Sequence, residues 1–170
     1  MMDAKTALYT RRSIRAYTGR PLTDEEISDI LRAGFSAPSC ANLRPLHFIV
    51  VRERATLELI VSVHPHSKAV LQAGCCIVVC ADRNLHDNLY YDNQDASAAI
   101  ENMLLMAHGM GLGGLWMGLR PDEDKAAPIA AALGLPGSVL PFGLVAVGEP
   151  AEEKDAPDRT LPDRVHWDRW

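Results

Sequence analysis

RRSIR, Arg11 to Arg15, stands near the start of this sequence, and APSCAN, Ala37 to Asn42, follows it after one predicted helix. Four arginines crowd into ten residues of a chain whose formal net charge is −5: Arg11, Arg12, Arg15 and Arg20. Guanidinium groups present forked donors that match phosphate oxygens, whereas nucleic acid needs a broad positive field. The arginines therefore favour a small phosphate-bearing ligand, with a solvated run of N-terminal charge as the alternative.

The composition predicts one domain that spans residues 1–170. The chain is 48% hydrophobic and 23% charged, and its length suffices to bury a core without metal or disulfide support. Its acidic balance gives no reason to expect nucleic acid or an anionic membrane as a partner. It lacks an apolar run of ~20 residues and the apolar core of a signal peptide, so we expect a cytoplasmic protein.

The cysteines do not predict a metal site. Cys75, Cys76 and Cys80 fall within AGCCIVVCAD, which has the pattern of a buried strand, and Cys40 falls in a loop. No Cys or His spacing suits zinc or an iron–sulfur cluster. We expect the three strand cysteines to be small buried hydrophobic residues and leave Cys40 open to a functional role.

Helices and strands alternate along the chain. A capping box at Thr23 and Glu26 predicts a helix that ends near Ser36. Helices are also predicted over 55–63 and 124–133, and strands over 46–51, 75–81 and 142–147. The strand over 46–51 is apolar on both faces, which favours a central position in a covered sheet.

A long helix over 94–110 is nearly apolar all round. One domain of this size can hardly cover such a helix, so a partner subunit is the expected source of the remaining cover. Gly111 to Gly118 follow, without the lysine of a Walker loop and without the helix that a dinucleotide fingerprint would open. These glycines indicate close backbone approach to something flat or to another strand.

Residues 149–170 have the character of an extended arm. Residues 149–164 are charged and rich in proline, without periodicity. The chain then ends in VHWDRW, and Trp167 and Trp170 suggest an anchor instead of a frayed tail. We expect this arm to leave its own domain and to dock elsewhere.

Taken in order, RRSIR, APSCANLRP, the apolar helix, GLGGLWMG and the tryptophan-bearing tail resemble the FMN-dependent nitroreductase family over essentially the whole chain. The resemblance implies an α+β fold with three layers, in which helices flank a mixed central sheet. It also implies an intertwined homodimer with FMN bound at the interface.

The resemblance further implies which residues contact FMN. Arg11 and Ser13 match residues that hold the phosphate and ribityl chain, with Arg12 beside them, and Arg159 matches a basic residue that closes over the phosphate. Arg15 matches the cation near the N1–C2 edge of the flavin, where it would stabilise charge on reduced flavin. Four loop residues match those that approach from the other subunit: Pro38, Ser39, Cys40 and Asn42. Four more match the segment along one flavin face: Leu115, Trp116, Met117 and Gly118.

Three features depart from the family pattern. Arg44-Pro45-Leu46 stands where many relatives have Gln-Pro-Trp, which adds charge near the flavin and could recruit an anionic acceptor. Cys40 replaces a frequent serine or threonine. The chain is also short, and inserted helices over the active site are missing from the sequence, so we expect an open channel and broad specificity.

The implied activity is transfer of electrons from NADH or NADPH, through FMN, to a small-molecule acceptor such as a nitroaromatic or a quinone, by a ping-pong mechanism. Flavin N5 carries the chemistry, and no catalytic side chain is predicted; His108, on the apolar helix, is expected to be a hydrogen-bonded core histidine. Two alternatives stay open: a relative with a dedicated substrate, for reductive dehalogenation or flavin conversion, and a non-enzymatic flavin-binding or storage protein.

Overall fold

The computed structural model describes residues 2–170. Five α-helices of those residues are α1 Ala4–Thr10, α2 Asp24–Phe35, α3 Arg54–Val63, α4 Leu89–Gly109 and α5 Ala126–Ala132. Four strands are β1 Leu46–Val51, β2 Cys75–Asp82, β3 Gly113–Gly118 and β4 Val139–Gly148. Short 3-10 helices cover Cys40–Asn42, Pro65–Leu71 and Pro162–Arg164. No helix of residues 2–170 combines the length and apolarity needed to cross a bilayer.

The four strands form one antiparallel sheet in the order β1-β2-β4-β3. The sequence-based expectation of a mixed sheet is met only in part, because the parallel pairing found among residues 2–170 is the single bridge between Ser13 and Gly114. The central position predicted for 46–51 was wrong, since β1 lies at an edge. Its two apolar faces reflect helices above and below the sheet, and Phe48 packs on Phe35 of α2 at 4.4 Å between ring centroids.

Helices cover both faces of the sheet and give the expected three layers. Along β2, Cys76, Val78 and Cys80 face α3 and α5, while alternate residues such as Ile77 face α2 and α4. This alternation follows from the two-residue period of a strand. The predicted burial of the strand cysteines is confirmed, and burial raises the pKa of Cys80 to about 12. These thiols are therefore neutral packing groups.

The capping box of α2 is formed as predicted. The Thr23 hydroxyl accepts from Glu26 N, and the Glu26 carboxylate accepts from Thr23 N. Arg20 adds two hydrogen bonds to Glu26, of 2.8 and 3.1 Å. These hydrogen bonds hold the pKa of Glu26 down at about 2. Arg20 thus stabilises the start of α2, and its contacts differ from those of the other three arginines of the N-terminal segment.

Helix α4 begins five residues before the predicted position 94, because the Asn88 side chain caps it by accepting from Tyr90 N. One side of α4 packs on the sheet through Ala99, Ile100 and Met103, which are all buried. The opposite side is left partly uncovered, and Met106 is 37% exposed.

Two elements were missing from the sequence-based prediction, α1 and β3. The glycines of β3 explain why the sequence pattern did not predict this strand, although its packing requires them. A Cβ at position 113 would lie 2.8 Å from Ile14, and one at position 114 would lie 2.6 Å from Leu104 of α4. The strand is therefore pressed between the N-terminal segment and α4, in agreement with the close approach expected of this stretch.

Residues 149–170 run along the surface. Pro150 pairs with Tyr17 and Ala151 N donates to Ala16 O, so the segment starts docked on its own domain. Farther on, Pro162–Arg164 is its 3-10 helix. Trp167 and Trp170 are 86% and 101% exposed.

Candidate functional site

The segment from Arg11 to Arg15 lies along the outer edge of β3. Ile14 N donates to Gly114 O at 3.0 Å, and the buried Tyr17 hydroxyl donates to Ile14 O at 2.8 Å. Ile14 and Tyr17 are buried anchors of this segment. Because these two residues are buried, they fix the backbone positions from which the side chains of the neighbouring arginines extend.

Three of the predicted site arginines surround one cavity of about 590 Å³, which we call the cationic cavity. Its walls are formed by Leu8, Tyr9, Arg11, Arg12 and residues 156–160, including Arg159. The Arg11 guanidinium is steadied by Glu101 of α4, whose carboxylate lies 3.0 Å from Nε. The cavity thus combines cations from the two ends of the chain.

Arg12 lines the cavity but is largely occupied by backbone carbonyl groups. Its Nε donates to Asp155 O at 2.7 Å, and Nη1 donates to Arg11 O at 2.6 Å. Burial, followed by the charges of Arg159 and Arg11, lowers the pKa of the Arg12 guanidinium. Sequence reasoning placed Arg12 beside the phosphate-binding residues and did not detect this contact with the arm.

Ser13 and Arg15 are tied to the arm through their backbones. Lys154 Nζ donates to Ser13 O at 2.8 Å, and Arg15 N donates to the Glu152 carboxylate at 2.5 Å. The Arg15 side chain is exposed. Neither residue is part of the wall of the cationic cavity.

The outer edge of β3 offers free backbone groups near its middle. Gly114 O accepts from Ile14 N, and Gly118 O accepts from His64 Nε2 at 2.9 Å, so both carbonyls point outward. Backbone groups alternate in direction along an antiparallel strand, so those of Trp116 also point outward. No group of residues 2–170 is found to bond them there. The Trp116 side chain is 39% exposed, while Leu115 and Met117 are buried in the core.

The APSCAN loop lies against the first half of α4. Cys40 N donates to both oxygens of the buried Asp95, at 3.0 and 3.1 Å. Asn42 and Arg44 have positive φ angles of 56° and 52°, and Arg44 Nε donates to Asn42 Oδ1. Asparagine is among the residue types that tolerate a positive φ best. The loop is therefore held in one conformation by Asp95 and by its own side chains.

Within one chain, the loop and the cationic cavity are separate. Asp95, which holds the loop, and Glu101, which holds Arg11, are six residues apart on α4, or about 9 Å along its axis. None of Pro38, Ser39, Cys40 and Asn42 lines the cationic cavity. The structure brings Arg11, Arg12 and Arg159 together and leaves these four loop residues elsewhere.

Sequence reasoning missed the acidic residues that organise the site. Asp95 and Glu101 are the two carboxylates in the nearly apolar stretch 94–110, and this was the signal that each has a fixed partner. His108 is hydrogen-bonded as expected, since Nε2 lies 2.7 Å from Thr10 Oγ1, but it is half-buried instead of lying in the core. Burial and the charges of Arg11 and Arg12 lower the pKa of His108.

Comparisons with known proteins show the family of this chain. A sequence profile of the Nitroreductase family matches residues 8–74 and 61–149. A candidate NADH dehydrogenase/NAD(P)H nitroreductase of Methanothermobacter thermautotrophicus is 43% identical over 169 residues, which cover 99% of this chain and 88% of that protein. A similarly named protein of Archaeoglobus fulgidus is 42% identical and is matched over the full length of both chains.

Solved structures give the same answer. The structure of a candidate NADH dehydrogenase/NAD(P)H nitroreductase from Parabacteroides distasonis superposes with a TM-score of 0.93 at 30% identity, over the full length of both chains. A candidate nitroreductase from Desulfovibrio desulfuricans, solved in complex with FMN, superposes with a TM-score of 0.88 at 32% identity over 100% of this chain and 99% of that one. With its three layers and these relatives, the chain belongs to the nitroreductase family.

Proposed function

We propose that this protein is an FMN-dependent oxidoreductase that transfers electrons from NADH or NADPH to small-molecule acceptors. The relatives' names support an NAD(P)H-linked activity, and the FMN complex of the Desulfovibrio protein supports the cofactor. The observation that carries the proposal is the cationic cavity, where Arg11 and Arg159 from opposite ends of the chain line one space. The proposal treats residues 1–170 as one FMN-binding domain with an arm over 149–170.

The residues present fit the two chemical parts of FMN. Arg11 and Arg159 would hold the phosphate, since guanidinium groups form charge-assisted bonds with its oxygens. The outward N–H of Trp116 would serve as a donor to the edge of a flat heterocycle. A Cβ at Gly118 would have no neighbour within 4 Å, so the surface at the end of β3 is open.

When bound, FMN supplies hydride acceptance from NAD(P)H and electron delivery to the acceptor. The residues of the chain would bind and orient FMN and stabilise its negative charge. Arg15 is exposed, and no hydrogen bond to its side chain is found within residues 2–170, so its guanidinium is free to turn toward a negatively charged ring edge. Such a cation favours the reduced form electrostatically. Protons come from solvent in an open site.

A homodimer completes the proposed site. The APSCAN loop does not reach the cationic cavity of its own chain, so a second copy is the proposed source of Pro38, Ser39, Cys40 and Asn42. The partly exposed side of α4 and the exposed tryptophans of the arm supply apolar surface for that contact.

The proposed acceptors are nitroaromatics, quinones or similar compounds that stack in the place that NAD(P)H leaves, as in a ping-pong mechanism. Arg44 is exposed beside Asn42, and Leu43 is 44% exposed. A cation next to apolar surface favours acceptors that are flat and carry a negative charge.

The visible absorption spectrum of the purified protein tests the proposal, first as isolated and then under anaerobic NADH and NADPH. We expect a bound flavin spectrum that is bleached by at least one nicotinamide and restored by a quinone or nitroaromatic. A bound flavin that resists both nicotinamides would indicate a protein electron donor or a storage role. A protein that cannot be loaded with FMN would refute the proposal.

A further inference from the structure

The cationic cavity has two walls that belong to distant parts of the sequence. One wall is formed by Leu8, Tyr9, Arg11 and Arg12, and the other by residues 156–160 of the arm. The cavity therefore exists only while the arm lies against the N-terminal segment. Whatever fastens the arm there also assembles the phosphate site.

Arg12 is the side chain that joins the two walls most directly. Toward the arm, its Nε donates to Asp155 O at 2.7 Å and its Nη2 donates to Pro157 O at 3.4 Å. Toward its own segment, Nη1 donates to Arg11 O at 2.6 Å and to Tyr9 O at 3.3 Å. Only a guanidinium presents donors in a rigid fork that can reach carbonyl groups on both sides.

Two further contacts hold the root of the arm, and they lie outside the cavity. Glu152 accepts from Arg15 N and Ala16 N, and Lys154 Nζ donates to Ser13 O. These contacts end at residue 154. Beyond it, the two carbonyl contacts of Arg12 are the described hydrogen bonds that connect residues 155–157 to the N-terminal segment.

The charge of Arg159 acts against this docking. The arm brings Arg159 toward Arg11 and Arg12, and like charges at this range repel. Burial and these neighbouring cations lower the pKa of Arg12, in agreement with such crowding. Glu101 offsets Arg11, whereas Asp158 is engaged with Thr160 N and Oγ1. An anion bound between the two walls would attract the cations of both walls and so offset their mutual repulsion.

We propose that Arg12 is a positioning residue that fastens the arm across the cationic cavity, so that arm docking and phosphate binding strengthen each other. The inference rests on the proposed function, which places the FMN phosphate in this cavity. Coupling between two equilibria is reciprocal: a bound phosphate orders the arm by the same factor by which a docked arm tightens the phosphate.

Hydrogen exchange of residues 150–160, measured by mass spectrometry on the full-length protein after removal of FMN, tests the coupling. Exchange is followed in chloride, in inorganic phosphate at equal ionic strength, with FMN, and with riboflavin, which lacks the phosphate. We expect slower exchange with phosphate and with FMN and no change with riboflavin. If a wild-type protein that binds FMN shows no protection, the coupling is wrong and the proposed function still stands. If phosphate protects the arm while FMN does not bind, the coupling stands and the proposed function fails.

Arg12→Lys separates the clamp from simple charge. Lysine keeps the positive charge but cannot span the carbonyl groups on both sides, so exchange of 150–160 should quicken and the FMN dissociation constant should rise about tenfold, within the usual range of such couplings. Weaker FMN binding with unchanged arm exchange would make Arg12 a direct phosphate ligand instead, and unchanged values of both would also overturn the proposal. Arg52→Lys is the matched control, because Arg52 pairs on the surface with Asp24 and lies outside the cavity.

Arg159→Gln should change the exchange of residues 150–160 in the opposite direction from Arg12→Lys. Removing this cation relieves repulsion in the protein without FMN, so exchange of 150–160 should slow while FMN affinity falls. Faster exchange in this variant would contradict the role given to charge.

Discussion

Under the proposed function, Arg11 is the residue on which phosphate binding would depend most directly. Its guanidinium lines the cationic cavity and is steadied by Glu101. Hydrogen bonds to charged groups contribute roughly 1.5–3 kcal/mol, so Arg11→Ala should raise the FMN dissociation constant about 10- to 100-fold and leave riboflavin binding unchanged. Fluorescence titration of the protein without FMN measures both constants. Arg52→Ala is the control, and full retention of FMN by Arg11→Ala would refute the assignment.

Glu26 is a second residue with a defined prediction, this time for stability against pH. Hydrogen bonds from Arg20, and then from Thr23 N, hold its pKa at about 2, below the usual 4.5. A lowered pKa in the folded state adds stability above pH 4.5, and that stability is lost as the pH falls toward about 2.

Glu26→Gln should therefore lower the free energy of unfolding by about 1 kcal/mol at pH 7 and by progressively less between pH 4.5 and 2. Urea unfolding at several pH values measures this difference. Glu25→Gln is the control because it lies in the same first turn of α2 outside the capping box. A constant difference across this range would contradict the linkage.

Strand β3 shows at the scale of an element why part of the fold was predictable and part was not. Strands β2 and β4 are apolar runs and were recognised as strands from that pattern. GGLWMG packs closely because it lacks side chains at two positions: Gly113 and Gly114 make room for Ile14 and Leu104. An apolar pattern therefore does not reveal this strand. Helix α1 has a single buried residue, Ala7, so no apolar stripe marks it in the sequence.

Gly113→Ala tests the fit of β3 against the N-terminal segment. The added Cβ would lie 2.8 Å from Cβ and Cγ2 of Ile14, and branched atoms so close to the backbone cannot swing away. We expect a loss of about 1–3 kcal/mol in stability and weaker FMN binding, because the segment that carries Arg11 must shift. Gly137→Ala, whose Cβ would meet nothing within 4 Å, should be near neutral in thermal unfolding and flavin titration. Equal behaviour of the two variants would show that β3 tolerates the shift.

For the whole molecule, the sequence motifs were enough to predict three layers, whereas the phosphate site near RRSIR stays a prediction supported by the arginines that line one cavity. The motifs could not give the partners of individual side chains, because those depend on contacts between distant segments. Arg12 and Arg20 look equivalent in the sequence. In the fold, one donates to carbonyl groups of the arm and the other to Glu26. The edge position of β1 was hidden for a similar reason, since burial by helices and burial between strands leave the same apolar pattern.

The arm sets the last prediction, which concerns assembly. Trp167 and Trp170 are almost fully exposed, and two such side chains at the end of an arm gain most by burial on a second copy. Deletion of residues 159–170 removes both the tryptophans and Arg159, so it should weaken the proposed dimer and FMN retention together. Deletion of residues 165–170 keeps the cationic cavity and should weaken the dimer with a smaller effect on FMN. Sedimentation velocity with simultaneous flavin absorbance measures both quantities, and an unchanged profile and flavin content in the longer deletion would show that the arm serves neither.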